Sequence, residues 1–183
     1  MRDISLHILD ISENSIRAGS SLVRIDMNID KAKDELAIVI EDNGSGMSKE
    51  MLERVKSPFT TSRTTRKVGL GIPLFVASCE NTGGRLNIDS EPGKGTKLTA
   101  RLKFAHIDRP PLGDIAETIA TLTILNPAID FAFTARYDEA FEYDTRQLKA
   151  TLGDVPITNP DVMVFIREYL QEGIKQVFGG NEI

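Results

Sequence analysis

The run Leu36-Ala-Ile-Val-Ile40, followed by the turn Asp42-Asn-Gly44-Ser-Gly46, decides the fold of this sequence. The apolar run predicts a buried β-strand. The turn has the pattern Asp-x-Gly-x-Gly and contains Asn-Gly, which favours a hairpin in its own right. Glycines also allow a backbone to approach a bound ligand closely, so the turn is equally typical of a ligand-binding loop.

The residues around this strand predict further elements. Residues 4–18 carry apolar and small side chains at three- and four-residue spacings and predict an amphipathic helix that ends at Gly19. Residues 22–29 alternate between apolar and polar and predict a strand that pairs with the first across a charged turn. A short helix is expected at about 48–56. The irregular polar stretch 57–68 then predicts a lid.

A helix and a hairpin complete the first part of the chain. Gly69-Leu-Gly71 opens a helix that runs to about Asn81, and Pro73 is tolerated because it falls in the first turn. Cys79, the single cysteine, lies in an apolar stretch of this helix and is expected to pack as a small hydrophobe. Residues 85–90 and 96–104 predict a β-hairpin.

The sequence changes character at residues 106–113, where Arg109-Pro-Pro111 marks a linker. We therefore predict one domain at 1–105 and a small C-terminal unit at 106–183. The unit has the predicted order α-β-β-α, with a helix at 112–124, strands at 129–137 and 140–149, and a helix at 159–178. The apolar residues of its helices can pack on the first domain or on a second copy, which would make a homodimer.

Composition excludes several classes of protein. The chain has 22 basic and 27 acidic residues and a net charge of −5, which argues against a nucleic acid partner. No apolar run approaches the ~18 residues that cross a bilayer. The start of the chain carries Asp3 where a signal peptide carries basic residues. We expect a cytoplasmic protein with no membrane partner.

The first helix contains Asp10-Ile-Ser-Glu-Asn14-Ser-Ile-Arg-Ala18. The spacing of four residues puts Asp10 and Asn14 on one face of the helix. A carboxylate and an amide oxygen are suitable partners for a metal-bound triphosphate. An ordinary polar helix face is the alternative interpretation of this segment.

A third segment suggests phosphate binding. Ser57-Pro-Phe-Thr-Thr-Ser62 precedes a stretch that contains Arg63 and Lys67, and Gly69-Leu-Gly71 follows at a helix N-terminus. The unpaired N–H groups of a helix N-terminus favour anions. Hydroxyls and cations can close on a γ-phosphate, although a charged loop can also be merely solvated. The last segment runs from Gly83-Gly84 to Gly95-Thr96.

In this order, the four segments resemble the motif boxes of the histidine-kinase-like ATPase superfamily. That superfamily includes gyrase B, the large heat-shock chaperones, histidine kinases and mismatch-repair ATPases. The resemblance covers residues 4–104. It implies the two-layer α/β sandwich of the Bergerat type with a mixed, mostly antiparallel sheet, and it implies ATP and Mg²⁺ as cofactors.

The resemblance also implies roles for single residues. Asn14 would ligate Mg²⁺, and Asp42 would accept a hydrogen bond from the adenine amine, which guanine lacks at that position. At the position of Asp10 the hydrolytic branches carry a glutamate that polarises the attacking water. Because aspartate is one methylene shorter, binding is expected to persist while hydrolysis is slow. The other expected nucleotide contacts are Gly44, Gly46, Met47, Thr61, Arg63, Lys67, Gly69, Leu70, Gly71 and Thr96.

Three functions fit these motifs. The first is a nucleotide-gated regulatory switch with slow hydrolysis; the second is a kinase that phosphorylates a separate partner protein, as stand-alone anti-sigma-factor kinases do; the third is an ATP-binding module without turnover. Autophosphorylation is not expected, because the first motif begins at Asp10 with no phosphoacceptor hairpin before it, and His7 is expected to be a packing residue. Proteins that resemble this one accompany hydrogenase or related redox subunits, so a redox partner is a further expectation.

Overall fold

The computed structural model describes residues 2–56 and 70–179. Within these ranges the chain forms six helices and six strands. The helices are α1 (Ile4–Arg17), α2 (Lys49–Lys56), α3 (Gly71–Asn81), α4 (Ile115–Leu125), α5 (Thr145–Leu152) and α6 (Pro160–Phe178). The strands are β1 (Leu22–Asp30), β2 (Glu35–Asp42), β3 (Arg85–Glu91), β4 (Gly95–Lys103), β5 (Asp130–Arg136) and β6 (Ala140–Asp144).

The strands form a single mixed sheet in the order β3-β4-β2-β1-β5-β6. Strand β1 runs parallel to β5, and every other neighbouring pair is antiparallel. The predicted hairpin of β1 and β2 is present, with Asp30 paired to Glu35 at its closed end. The expectation of a mixed, mostly antiparallel sheet is confirmed.

One face of the sheet is covered by helices, and the other is open. Along β1 and β2 every second side chain is buried, as the alternating pattern of β1 predicts. Helices α1, α3, α4 and α6 pack on this apolar face and on one another. The open face carries charged side chains, such as Arg24 and Lys97 beside Glu41. The chain is therefore a two-layer α/β sandwich.

The C-terminal half of the chain continues the same sheet. Strand β5 lies beside β1, and α4 packs between α1 and α6. The segment before α4 also completes the start of α1, because the N–H groups of Ile4 and Ser5 donate to the carbonyls of Pro111 and Leu112, both at 2.9 Å. The division into units 1–105 and 106–183 stays a prediction, which expression of residues 1–105 alone would test.

One predicted strand was wrong in its second half. Strand β6 ends at Asp144, and residues 145–149 form helix α5 instead of continuing the strand expected at 140–149. The Asp144 side chain caps the helix by accepting a hydrogen bond from the Arg146 N–H at 2.9 Å. The sequence Arg-Gln-Leu-Lys-Ala that follows consists of good helix formers. The unit is α-β-β-α-α, not the predicted α-β-β-α.

Helix α6 is the longest element of the described chain, with 19 residues. Its start is fixed by Asn159, whose side chain accepts from the Asp161 N–H, and by Pro160 in the first turn. It ends at Gly179, which takes a left-handed conformation with φ of 72°. Neither α6 nor any other described helix combines the length and apolar character that a membrane crossing requires.

Candidate nucleotide-binding site

A cavity of about 590 Å³ opens where β2 ends, next to α1 and α2. This volume lies in the usual range for small-molecule sites. Its walls are largely apolar and include Ile11, Ile40, Val55, Ile72, Ile88 and Leu98. The polar groups that line it are few: Asn14, Ser15, Arg17, Asp42, Ser45, Arg54 and Thr96. An apolar cavity that contains a few polar groups is suited to a flat heterocyclic ligand.

Asp42 is the last residue of β2, and its side chain is only 9% exposed. One carboxylate oxygen, Oδ2, accepts a hydrogen bond from the Ser15 hydroxyl at 2.7 Å. The other, Oδ1, accepts from the Gly44 N–H at 2.8 Å. These two donors fix the carboxylate, while each oxygen keeps a second lone pair for a ligand donor. The predicted adenine acceptor is thus a buried, oriented group.

Ser15 has a place in the site that the sequence did not predict. Its hydroxyl is buried on α1 and meets Asp42, a residue 27 positions away in the chain. The sequence placed Ser15 on the packed face of the helix, where a serine can equally bond to the carbonyl four residues earlier. Only the packing of α1 against the end of β2 reveals its partner.

Gly46 has a conformation that other residues rarely adopt, with φ of 64°. A Cβ at this position would lie 2.0 Å from the backbone oxygen of Glu91. The glycine is therefore required by the close approach of the β3–β4 turn, whereas the sequence suggested close approach to the base. Its neighbour Met47 lines the cavity, and the Met47 N–H donates to the Ser90 hydroxyl at 2.9 Å.

Thr96 lies beside Asp42, because the two residues are paired in the register of β2 and β4. The Ser90 hydroxyl donates to the Gly95 carbonyl at 2.9 Å, so the Thr96 hydroxyl is the donor in its 2.9 Å bond to Ser90. The Thr96 oxygen therefore keeps its lone pairs for a ligand or a water molecule. Ser90 joins the Met47 loop to Thr96, a role that the sequence did not indicate.

Asp10 and Asn14 lie on one face of α1, as predicted. Their closest polar atoms, Asp10 Oδ2 and Asn14 Nδ2, are 3.5 Å apart. The Asn14 side-chain oxygen accepts from Arg17 Nη1 at 2.9 Å and keeps a second lone pair. Arg17 also pairs with Glu13 at 2.5 Å and lines the cavity. This arginine is a candidate phosphate contact that the sequence did not indicate.

The N-terminus of α3 lies against Asp10. A Cβ on Gly71, the first residue of α3, would come within 1.6 Å of Asp10 Oδ2, so glycine is needed for this contact. Leu70 precedes the helix and supplies no side-chain cap. Leu70 therefore leaves the first N–H groups of α3 without a side-chain cap, and such N–H groups favour an anion.

The predicted site residues fall into three groups. Asn14, Asp42, Gly46, Met47 and Thr96 line the same cavity. Asp10, Gly44, Leu70 and Gly71 lie outside the cavity lining, although Gly44 bonds to Asp42 and Gly71 touches Asp10; the Leu70 side chain is 74% exposed. Thr61, Arg63, Lys67 and Gly69 lie outside the described residues.

The two other residues singled out from the sequence are packing residues. The His7 ring is fully buried, stacks on Phe75 with centroids 4.4 Å apart, and lies 3.1 Å from the Ser78 hydroxyl through Nε2. Burial lowers the pKa of His7 to about 4, so the ring is neutral near pH 7. Cys79 is buried, and burial raises the pKa of its thiol to about 12.

This fold and this cavity define an ATP-binding protein of a known class. A family model described as "Histidine kinase-, DNA gyrase B-, and HSP90-like ATPase" matches residues 2–106. The match covers more than half of the chain, and the chain therefore belongs to this ATPase family.

Curated relatives include several sensor kinases. The chain is 34% identical to the sensor protein kinase FleS of Pseudomonas aeruginosa over 110 residues, which is 60% of this chain and 27% of that protein. It is 32% identical to the "Non-motile and phage-resistance protein" of Caulobacter vibrioides over 117 residues, 59% of this chain and 14% of that protein. The chain is 30% identical to sensor protein DegM of a Bacillus species over 95 residues, which is 52% of this chain and 25% of that protein. The chain thus spans about a quarter or less of these relatives.

Solved structures show the same fold. The MutL ATPase domain of Aquifex aeolicus complexed with ADP superposes with a TM-score of 0.52 and 13% identity, covering 100% of this chain and 99% of that chain. The N-terminal domain of a DNA repair protein gives a TM-score of 0.55 and 14% identity, covering 79% of this chain and 52% of that chain. At these identities the likeness establishes the fold alone.

Proposed function

We propose that the protein is a Mg²⁺-dependent ATP-binding switch with slow ATP hydrolysis. The observation that carries this proposal is the buried Asp42 carboxylate, held by Ser15 and Gly44 in the cavity that Asn14 also lines. A fixed acceptor can bond to the amine of adenine, and guanine presents an oxygen in its place. The arrangement therefore favours adenine nucleotides.

Magnesium fits this site only as a partner of the phosphates. Among residues 2–56 and 70–179, no group of three or more acidic, histidine or cysteine side chains could hold a metal ion. Mg²⁺ commonly binds to one or two protein oxygens and completes its shell with substrate phosphates and water. Asn14 supplies a suitable oxygen, and ATP supplies the phosphates and the phosphoryl group to be cleaved.

Slow hydrolysis is supported by the surroundings of Asp10. Its carboxylate lies against the first residue of α3, where even a methyl group on Gly71 would collide with it. A general base must come within hydrogen-bond reach of the water that it activates. The short side chain of Asp10 and its close contact with Gly71 restrict that reach. ATP therefore stays bound for a long time before it is hydrolysed.

The nucleotide state can pass from the site to the C-terminal half of the chain. Asp10 and Asn14 lie on α1, and α1 packs on α3 through His7 and on α4 through its apolar face. A shift of α3 on phosphate binding would therefore act on α1 and α4. The recipient is a partner protein, for which the resemblance suggests a redox or hydrogenase-related subunit, or a second copy in a homodimer.

A second candidate function is phosphorylation of a separate protein. It is favoured by the relatives, several of which are named as sensor kinases. Asp10 would then orient a hydroxyl or imidazole of the partner instead of a water molecule.

The test begins with calorimetric titration of ATP into the full chain, with and without Mg²⁺, followed by phosphate release from wild type and Asp10→Ala. Tight binding with slow, Asp10-dependent release supports the switch. Binding without release, together with transfer of the γ-phosphate label to an added partner, supports the kinase. Binding with neither leaves a module without turnover, and the absence of binding would refute all three.

A further inference from the structure

A second cavity of about 590 Å³ lies at the opposite end of the sheet from the nucleotide site. Its walls come from the turn after β1, the segment after β4, the β5–β6 turn and the end of α6. Strand β2 begins near this cavity at Glu35 and ends in the nucleotide site at Asp42. At ~3.4 Å per residue the two sites are roughly 25 Å apart, so no single nucleotide can span them.

Arg109 is the unusual group in this cavity. Its Nε donates to the Phe104 carbonyl at 2.6 Å and its Nη1 to the Pro110 carbonyl at 2.9 Å, and the guanidinium lies 5.0 Å from the centre of the Phe104 ring. Burial lowers the pKa of Arg109. In the described part of the chain, Arg109 is thus a half-buried cation held in place without an ion-pair partner.

Two further donors line the same cavity. The His106 Nδ1 accepts from the Asp108 N–H at 3.1 Å, which leaves the Nε2 of the neutral ring as its donor. Gln176, near the end of α6, contributes a side-chain amide. Neither Nε2 of His106 nor the Gln176 amide forms a hydrogen bond with the described residues.

The other charges of the cavity are arranged differently. Lys31 lies 4.1 Å from the centre of the Tyr137 ring, and its ammonium pairs with Asp138 at 2.8 Å, so this cation is already neutralised. Glu139 also lines the cavity, but it does not pair with Arg109. A ligand that neutralises Arg109 must therefore bring its own negative charge.

We propose that the cavity formed around Arg109, His106 and Gln176 is a second ligand site, which binds an oxyanion such as a carboxylate or a phosphate. The guanidinium edge is directed by its two backbone bonds and by the Phe104 ring, so it is ordered before the ligand arrives. The rings of Phe104 and Tyr137 line the cavity beside the guanidinium. This proposal does not depend on ATP binding at the other end of the sheet.

The experiment is an NMR titration of the full ¹⁵N-labelled chain with inorganic phosphate and, separately, with malonate, at an ionic strength held constant with KCl. The Arg109 Nε–H, the His106 ring and the Gln176 amide report on the proposed site. The backbone amides of Gly71 and Ile72 report on phosphate that binds at α3 instead. We expect saturable shifts of the first set of signals. Saturation with phosphate alone would indicate a ligand that carries a phosphate group, and saturation with malonate would indicate a ligand that carries a carboxylate.

Three variants decide the outcome. Arg109→Gln is expected to weaken binding about tenfold or more, because a hydrogen bond to a charged group is lost. Arg136→Gln is the matched control, since Arg136 lies on the open sheet face near Asp26 and Glu142, and it should leave binding unchanged. His106→Gln keeps the charge of Arg109 and should weaken binding less, which tests the site even if Arg109→Gln fails to fold.

Two results would overturn the proposal. Linear shifts equal to those produced by KCl would mean that the cavity binds no oxyanion. Saturable shifts that Arg109→Gln leaves unchanged would mean that the oxyanion binds elsewhere on the protein.

Discussion

The adenine end and the phosphate end of the nucleotide site are built in different ways. At the proposed adenine end, Asp42 bonds to Ser15 and Gly44, and Ser90 bonds to Thr96, with distances of 2.7 to 2.9 Å. Asp42 and Thr96 are paired in the register of β2 and β4. At the proposed phosphate end, the polar atoms of Asp10 and Asn14 are 3.5 Å apart, and Leu70, the residue before α3, supplies no side-chain cap. The groups proposed to bind adenine are therefore held in place before a ligand binds, whereas those proposed to bind phosphate have fewer fixed partners among the described residues.

The largest effect expected is a loss of stability in acid, and it originates at His7 on α1. His7 joins α1 to α3 beside the phosphate end, and its pKa is about 4 in the folded protein against an ordinary value of 6.5. The unfolded chain binds the proton more tightly, so stability is complete above pH 6.5 and falls as the pH drops towards 4. The loss is about 3 kcal/mol of unfolding free energy by pH 4.

Urea unfolding between pH 7 and pH 4 would measure this loss. Replacing His7 with glutamine should remove most of the pH dependence. An unchanged acid response in His7→Gln would contradict the assignment of the loss to His7.

Asp42→Asn tests the preformed end directly. The amide nitrogen replaces one of the two acceptor oxygens, so either the Ser15 hydroxyl or the Gly44 N–H loses its acceptor, as does an adenine amine bound at that oxygen. Calorimetry should show ATP affinity weakened by about 1 to 3 kcal/mol, roughly tenfold to a hundredfold. Glu41→Gln, one residue earlier on the open face, is the control and should bind ATP as wild type does. Equal affinity for ATP and GTP in wild type would contradict the role given to Asp42.

Asn14→Ala tests the proposed phosphate end of the site. Because Asn14 supplies the proposed protein oxygen for Mg²⁺, the variant should bind ATP equally with and without the ion. The ATP affinity of wild type should rise about tenfold when Mg²⁺ is present, which corresponds to ~1.4 kcal/mol of binding free energy. Glu13→Gln, whose side chain points to Arg17, should retain the gain. A gain that survives in Asn14→Ala would assign the metal to another group.

The same contrast explains how far the sequence predicted the structure. Asp42 and Asn14, which line the same cavity, were predicted as site residues because each lies in a short local pattern. Their roles stay a prediction. Ser15, Ser90 and Arg17 were missed because their roles arise from contacts between distant segments or from cavity shape. The strand expected at 140–149 was wrong because the Asp144 cap, a local signal, outweighed the alternating pattern.

Two serines of α1 offer the smallest and sharpest test. The Ser15 hydroxyl donates to Asp42, so Ser15→Ala should weaken ATP binding by about 1 kcal/mol and lower stability by a similar amount. The Ser12 hydroxyl is equally buried but has no hydrogen-bond partner among the described residues. Ser12→Ala should therefore leave ATP affinity unchanged and keep or raise the melting temperature, because an unsatisfied polar group is removed. If both variants bind ATP as wild type does, the Ser15 bond contributes nothing to orienting Asp42, and adenine recognition rests on the Gly44 N–H and the strand register alone.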